Sequence, residues 1–254
     1  MKRESTAVAS PAEKNRLALV TGSTGLLGRA ICHRLAREGF DLCLGYARSG
    51  EAAEQLAEEL AASSGVTCST LGFDVTSAKD VQAAVGQLVE SRGRVDVLVA
   101  AHGVAPLALL RFTREDDIQN AFRINAEGTV HCVSAVLPVM QRQNWGRIVI
   151  LSSAAAEGRT GQAVYAASKS ALRGLIQSAA REYAAYGVTL NSVAPAVVEG
   201  NPATQSDQRE KLLSDYPLGR FVTPDEVAAA TAFLVSDEAA TMTGQNLIID
   251  GGRF

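Results

Sequence analysis

The segment Leu17-Ala18-Leu19-Val20-Thr21-Gly22-Ser23-Thr24-Gly25-Leu26-Leu27-Gly28 decides the fold. A short apolar run, Leu17–Val20, leads straight into a glycine-rich turn, and the turn opens into a helical pattern over Leu27–Glu38. Glycines in that context have a physical task. Without side chains the backbone can turn sharply, approach a pyrophosphate closely and pack the helix on the sheet, while the helix N-terminus favours the anion. A purely structural turn is the alternative, so the weight of the motif rests on its place in a β-α unit.

Outward from this segment, short apolar runs alternate with longer stretches of helical period. Strands are predicted at Leu42–Gly45, Thr67–Phe73, Val95–Ala100, Arg147–Leu151, Thr189–Val193 and Leu247–Ile249. They are apolar on consecutive residues, as expected of strands covered on both faces. Helices are predicted at Glu51–Ala62, Ala78–Arg92, Glu115–Met140, Ala163–Tyr186 and Pro224–Val235, the last with Thr223 as its cap and Pro224 in its first turn. This alternation implies an α/β fold: a doubly wound parallel sheet of the Rossmann type, about seven strands, with helices on both faces. The 254 residues fit one such domain over 16–254, preceded by a disordered polar tail at 1–15. The irregular stretch Ala196–Tyr216 is expected to be a substrate loop.

Composition narrows the function classes. The chain is 47% hydrophobic and 20% charged, with a formal net charge of −3. Scattered lysines and arginines, outnumbered by acids, give no footprint for nucleic acid. No apolar run approaches the roughly 20 residues of a membrane span, and the N-terminus lacks the apolar core of a secretory signal. Cys32, Cys43, Cys68 and Cys132 are far apart and form no metal-ligand set; free thiols in the cytoplasm are the expectation.

Two further patterns carry chemistry. At the end of the second strand, Leu44-Gly45-Tyr46-Ala47-Arg48-Ser49 offers no carboxylate for a ribose hydroxyl, while Asp41 lies at the opposite end of the strand. Arg48 with Ser49 suits a 2'-phosphate, which points to NADP(H), the alternative being a solvated loop arginine. In the pattern Tyr165-Ala166-Ala167-Ser168-Lys169, Tyr165 and Lys169 project from one helix face, and the nearby ammonium is expected to draw the phenol towards phenolate. Upstream, Ser152-Ser153 end the fifth strand at the carboxyl edge of the sheet, where open α/β folds bind ligands.

From about Leu17 to the C-terminus, the chain resembles the short-chain dehydrogenase/reductase family, and within it the 3-oxoacyl-[acyl-carrier-protein] reductases. The resemblance rests on the glycine turn, Phe73-Asp74-Val75, Asn125, the serine pair with Tyr-x-x-x-Lys, Asn191-Ser192-Val193-Ala194-Pro195, Pro217-Leu218-Gly219-Arg220-Phe221 and the ending Asp250-Gly251-Gly252. It implies Tyr165 as acid/base, Lys169 on the nicotinamide ribose, Ser153 polarising the carbonyl and Asn125 holding a relay water. It implies NADP(H) bound by Gly22, Ser23, Thr24, Gly25, Leu27, Gly28, Tyr46, Arg48, Ser49, Asp74, Val75, Ala101, Gly103, Tyr165, Lys169, Pro195 and Val198. It further implies a homotetramer that reduces 3-oxoacyl thioesters on an acyl carrier protein in fatty acid biosynthesis. A free ketone or alcohol as substrate, or a non-catalytic nucleotide-binding subunit, are the alternatives.

The chain departs from the family pattern at four places. Leu26 replaces a glycine in the turn; Ala100-Ala101-His102-Gly103 replaces Asn-Asn-Ala-Gly, with His102 read as a structural hydrogen-bonding residue. Ala196 and Gly200 replace a glycine and the threonine that meets the carboxamide, leaving Thr204 as a substitute if the loop reorganises. The spacing from Ser153 to Tyr165 is one residue short; Ser152 would restore it, but only by a strand slip that reverses every side chain.

Overall fold

The computed structural model describes residues 15–253 except 206 and 208. The expected tail therefore lies outside the described residues apart from Asn15, whose amide donates to Asp41 at 3.3 Å.

Seven strands form one parallel sheet: β1 (Leu17–Thr21), β2 (Asp41–Tyr46), β3 (Cys68–Gly72), β4 (Val97–Ala100), β5 (Gly146–Leu151), β6 (Val188–Pro195) and β7 (Asn246–Ile249). Their spatial order is β3-β2-β1-β4-β5-β6-β7, so the strand order reverses between β1 and β4. One face is covered by α1 (Leu26–Arg37), α2 (Gly50–Ser64) and α8 (Pro224–Val235), and the other by α3 (Ala78–Arg92), α5 (Gly128–Gln143) and α6 (Ala163–Tyr183). Each face has its own apolar core, which is why β1, β4 and β5 are buried at every residue.

Local chemistry sets the helix ends. Thr223 accepts from Glu226 N at 3.2 Å while Glu226 accepts from Thr223 N at 2.8 Å, a reciprocal cap that starts α8 where Pro224 fits the first turn. Arg220 adds a two-pronged ion pair to Glu226, and its carboxyl is held down at about 2 by these bonds.

Most predicted bounds lie within two residues of the observed ones. The helix predicted over Ala163–Tyr186 stops at Tyr183, with a 3₁₀ turn over Ala184–Tyr186; the larger exception is the long helix predicted over Glu115–Met140. It is three pieces: α4 (Glu115–Ala121), a π-helical segment (Phe122–Glu127) and α5. Periodicity cannot register one extra residue per turn, and Gly128 shows what the wider turn accommodates, since a Cβ there would come 2.9 Å from Val75 Cγ2. The loop 196–216 also contains structure that polarity concealed, a 3₁₀ turn at Pro202–Gln205 and the short helix α7 (Arg209–Leu213).

Candidate active site

The carboxyl ends of β1, β4, β5 and β6 open onto a cleft of about 1040 Å³, lined among others by Gly25, Gly28, His102, Ser153, Tyr165, Lys169 and Pro195. It lies beside the point where strand order reverses, where an open sheet leaves a crevice for ligands.

The glycine turn is built for close backbone approach. Gly22 has φ +64, and a Cβ on it would come 2.9 Å from the His102 backbone. A Cβ on Gly28 would come 2.1 Å from Gly22 O, so no side chain fits there. Gly25 caps α1 in extended conformation without a side-chain bond, and the first turn of α1 carries no acid. That leaves donors and the positive end of the helix facing the cleft, a cradle that fits a pyrophosphate. Leu26 and Leu27 line the same cleft and Thr24 is half-buried, but Ser23 is fully buried with its hydroxyl donating to Gly45 O at 3.1 Å. Ser23 thus presents only its backbone to a ligand.

Beyond the ends of β2 and β3, Arg48 and Ser49 are exposed and the Tyr46 ring packs close to the backbones of Gly50 and Gly72. Asp74 accepts from Thr76 N at 2.9 Å, which holds its carboxyl below the usual range, with help from Arg123 and Arg48. Arg123 and Arg48 thus both stand close enough to Asp74 to favour its charge. Sequence reading missed Arg123 because it sits in the π-helical segment, where helical period gives no direction. Asp41 lies at the far end of β2, bonded to Thr67 N at 2.9 Å.

The reactive groups meet at the end of β5. Tyr165 lies in the first turn of α6, close enough to Ser153 for that hydroxyl to pull the phenol down. Burial is the larger effect, so the phenol stands above its ordinary value. This corrects the expectation of a phenol lowered by Lys169: Lys169 Nζ donates to Leu151 O at 2.7 Å, the lowering that acts on the phenol comes from Ser153, and desolvation outweighs it. The buried ammonium is itself pushed down to about 8. Ser153 accepts from Ala155 N at 3.1 Å, and Ser152 lines the cleft from the neighbouring position.

Asn125 is fully buried and anchors the turn after β4. Its Oδ1 accepts from Val104 N at 2.8 Å, and its Nδ2 donates to Val104 O and to Ser168 Oγ, each at 2.9 Å. A Cβ on Gly103 would come 3.1 Å from Asn125 Oδ1 and 3.3 Å from Lys169 Nζ, so Gly103 lets the chain pass between them. The structure brings Asn125 to this turn and to α6, not to the Tyr165 hydroxyl. Ala101 packs with the α1-side core, and Val75 faces Gly128.

His102 ties β1 to α5. Its Nδ1 is 2.6 Å from Thr21 Oγ1 and its Nε2 is 3.3 Å from Thr129 Oγ1, which already donates to Asn125 O at 2.8 Å. Thr129 must therefore accept, which assigns the ring proton to Nε2. Burial and the nearby Lys169 push the imidazole down to about 3, so it stays neutral. Thr204 is buried with its hydroxyl on Asn201 O at 2.7 Å, so it does not replace the missing side chain at Gly200. Val198 pairs with Val222, and Tyr216 Oη accepts from Val197 N at 2.9 Å, which ties the start of the loop to its end.

The family model described as enoyl-(acyl carrier protein) reductase matches residues 23–253. The chain is 38% identical over 240 residues to 3-oxoacyl-[acyl-carrier-protein] reductase FabG of Staphylococcus aureus, covering 93% of this chain and 97% of the relative. It is 34% identical over 242 residues to acetoacetyl-CoA reductase of Allochromatium vinosum, covering 94% and 98%. The crystal structure of NAD+-bound xylitol dehydrogenase is similar with a TM-score of 0.87 at 30% identity, covering 93% of this chain and 98% of that one.

Proposed function

The chain belongs to the short-chain dehydrogenase/reductase family, and from that premise we propose that it reduces the ketone of a 3-oxoacyl thioester on an acyl carrier protein, with NADPH. The observation that carries the chemistry is the meeting of Ser153 and Tyr165 beside Lys169 at the mouth of a cleft that begins in the glycine turn. The names of the reductase relatives support the thioester. The family binds a nicotinamide dinucleotide; the phosphorylated form is our inference from Arg48 and the acid-free end of β2.

Gly22, Gly25 and Gly28 would hold the pyrophosphate, Arg48 the 2'-phosphate, Asp74 and Val75 the adenine, and Lys169 with Pro195 and Val198 the nicotinamide end. When bound, the dinucleotide supplies the hydride. Ser153 donates a hydrogen bond to the carbonyl oxygen and stabilises the negative charge that grows there. Tyr165 gives up its hydroxyl proton to that oxygen, and a phenol kept protonated by burial is suited to donate. Lys169, buried and charged near neutrality, stabilises the phenolate that remains. Asn125 fixes Val104 and Ser168, and through them the relative position of the β4 turn and α6. We infer one domain over 16–254 with 196–216 as its substrate loop, acting as a homotetramer in the cytoplasm.

A second reading, a free ketone or polyol as substrate, is favoured by the likeness to xylitol dehydrogenase. Purified protein assayed for NADPH oxidation with an acetoacetyl thioester and with a ketopentose separates the two. Faster turnover of the thioester supports the first reading; turnover of the ketopentose alone replaces it.

A further inference from the structure

A chain of hydrogen bonds runs in one direction from the glycine turn to the backbone of the proton donor, and His102 is its second link. Thr21, the last residue of β1, immediately precedes Gly22 and is buried. Its single hydroxyl proton goes to His102 Nδ1 at 2.6 Å, Val99 O at 3.5 Å being the more distant acceptor. His102 Nε2 donates to Thr129 Oγ1 at 3.3 Å, and Thr129 donates to Asn125 O at 2.8 Å. From the same asparagine Nδ2 donates to Ser168 Oγ at 2.9 Å, and Ser168 donates to Tyr165 O at 2.8 Å. A hydroxyl has one proton to give, so the order of donors is fixed along the whole chain. Bonds aligned in this way polarise one another, which makes the chain stiffer than its separate links.

A neutral imidazole with its proton on Nε2 fits this order, because it accepts at one end and donates at the other. Burial and Lys169 hold the ring neutral, and the Ile124 carbonyl, in the π-helical segment, favours the ring's proton. Both ring nitrogens are therefore spent on the protein. Neither is left for substrate or cofactor. The backbone serves the same end: a Cβ on Gly22 would come 2.9 Å from His102 Cα, so the glycine turn rests directly on this residue.

We propose that His102 is a positioning residue that sets the glycine turn and Tyr165 in one frame, through Thr21 on one side and Thr129 with Asn125 on the other. This rests on the reading of Tyr165 as proton donor and of the glycine turn as the dinucleotide cradle. Misplacement of reacting groups by about 1 Å costs on the order of 10²-fold in rate, so a link that touches neither reactant still controls turnover.

Two substitutions cut the chain on opposite sides of the ring. In His102→Asn the carboxamide oxygen stands where Nδ1 stood, so Thr21 keeps its acceptor while Thr129 loses its donor. In His102→Gln the longer side chain brings an N–H to the place of Nε2, and Thr21 has only Val99 O left. We expect His102→Asn to hold NADPH within about threefold of the parent in calorimetry, and to slow single-turnover reduction at saturating NADPH about tenfold. His102→Gln should do the reverse, weakening NADPH about tenfold and keeping the rate within about threefold. Any other partition, including equal effects of both variants on affinity and rate or no effect of either, overturns the proposal. If the histidine variants do not fold, Thr21→Val and Thr129→Val remove the same two bonds, with weaker NADPH binding expected of the first and a slower rate of the second. The rate is read with an acetoacetyl thioester or a ketopentose, whichever the parent reduces, so failure of the thioester reading leaves the test standing. If neither is reduced, the reductase reading fails alone, and the NADPH affinities decide together with a long-range proton–nitrogen NMR spectrum of histidine-labelled protein. That spectrum should show His102 as the Nε2–H tautomer at neutral pH; the Nδ1–H tautomer would reverse the chain and overturn the proposal.

Discussion

The side chain of Leu26 lies against the backbone of Gly200, where a Cβ on the glycine would come 3.3 Å from Leu26 Cδ1. Leu26 replaces the family's glycine in the phosphate turn, and Gly200 replaces its threonine in the substrate loop. The two departures meet at the mouth of the cleft, and the large residue on one segment fills the room left by the small one on the other. Gly200 also has φ +87, which only glycine adopts without strain.

Restoring the threonine should therefore harm the protein. Gly200→Thr is expected to lower stability by about 1–3 kcal/mol, mostly from a β-branched residue at positive φ. Adding Leu26→Ala should recover only the part due to contact, less than half. Thermal unfolding of the two single variants and the double variant reads this directly. Full recovery in the double variant would place the cost in the contact instead of the backbone.

His102 gives the fold a dependence on pH. Its folded value of about 3 lies below the ordinary 6.5, so between those limits the unfolded chain binds more protons than the folded one. Stability then rises with pH across that window and is lost as pH falls from 6.5 towards 3. His102→Asn is expected to flatten that slope, whatever it does to stability at pH 7. Urea unfolding at pH 7, 6 and 5 checks it, and parallel slopes for the two proteins would remove His102 as the cause.

The sheet was legible because strands buried on both faces must be apolar throughout, so β1, β4 and β5 announce themselves. The glycine turn was legible because sterics at Gly22 and Gly28 admit nothing else. What escaped depends on contacts between distant segments. No local pattern shows that Leu26 and Gly200 touch, or that Asn125 spends its amide on Val104 and Ser168. The direction of the Tyr165 shift escaped for a related reason: spacing reveals the lysine, but not the burial that raises the phenol.

The steric reading of the turn predicts the effect of a single methyl. In Gly28→Ala the added Cβ would meet Gly22 O, a backbone atom that cannot swing aside, so the turn itself must move. NADPH binding measured by calorimetry should be lost while the far-ultraviolet spectrum stays that of a folded α/β protein. Unchanged affinity would show that the turn does not cradle the cofactor.

Cofactor choice tests the end of β2. With no carboxylate there and Arg48 exposed, NADPH should bind at least about tenfold more tightly than NADH, a difference of about 1.4 kcal/mol. Arg48→Ala should remove most of that difference, and Arg123→Ala a smaller share. Equal affinities in the unaltered protein would assign the cofactor to the unphosphorylated form.

The central claim is that the Tyr165 hydroxyl delivers the proton, and Tyr165→Phe tests it with the least disturbance. The ring and its packing in α6 remain, Lys169 keeps its bond to Leu151 O, and only the donor is removed. NADPH binding and unfolding temperature should be preserved. General acid catalysis accounts for about 10²–10⁴-fold, so single-turnover reduction of an acetoacetyl thioester should slow at least a hundredfold. A variant that folds, binds NADPH and reduces the thioester at the original rate would contradict the assignment of Tyr165 and require another proton donor in the cleft.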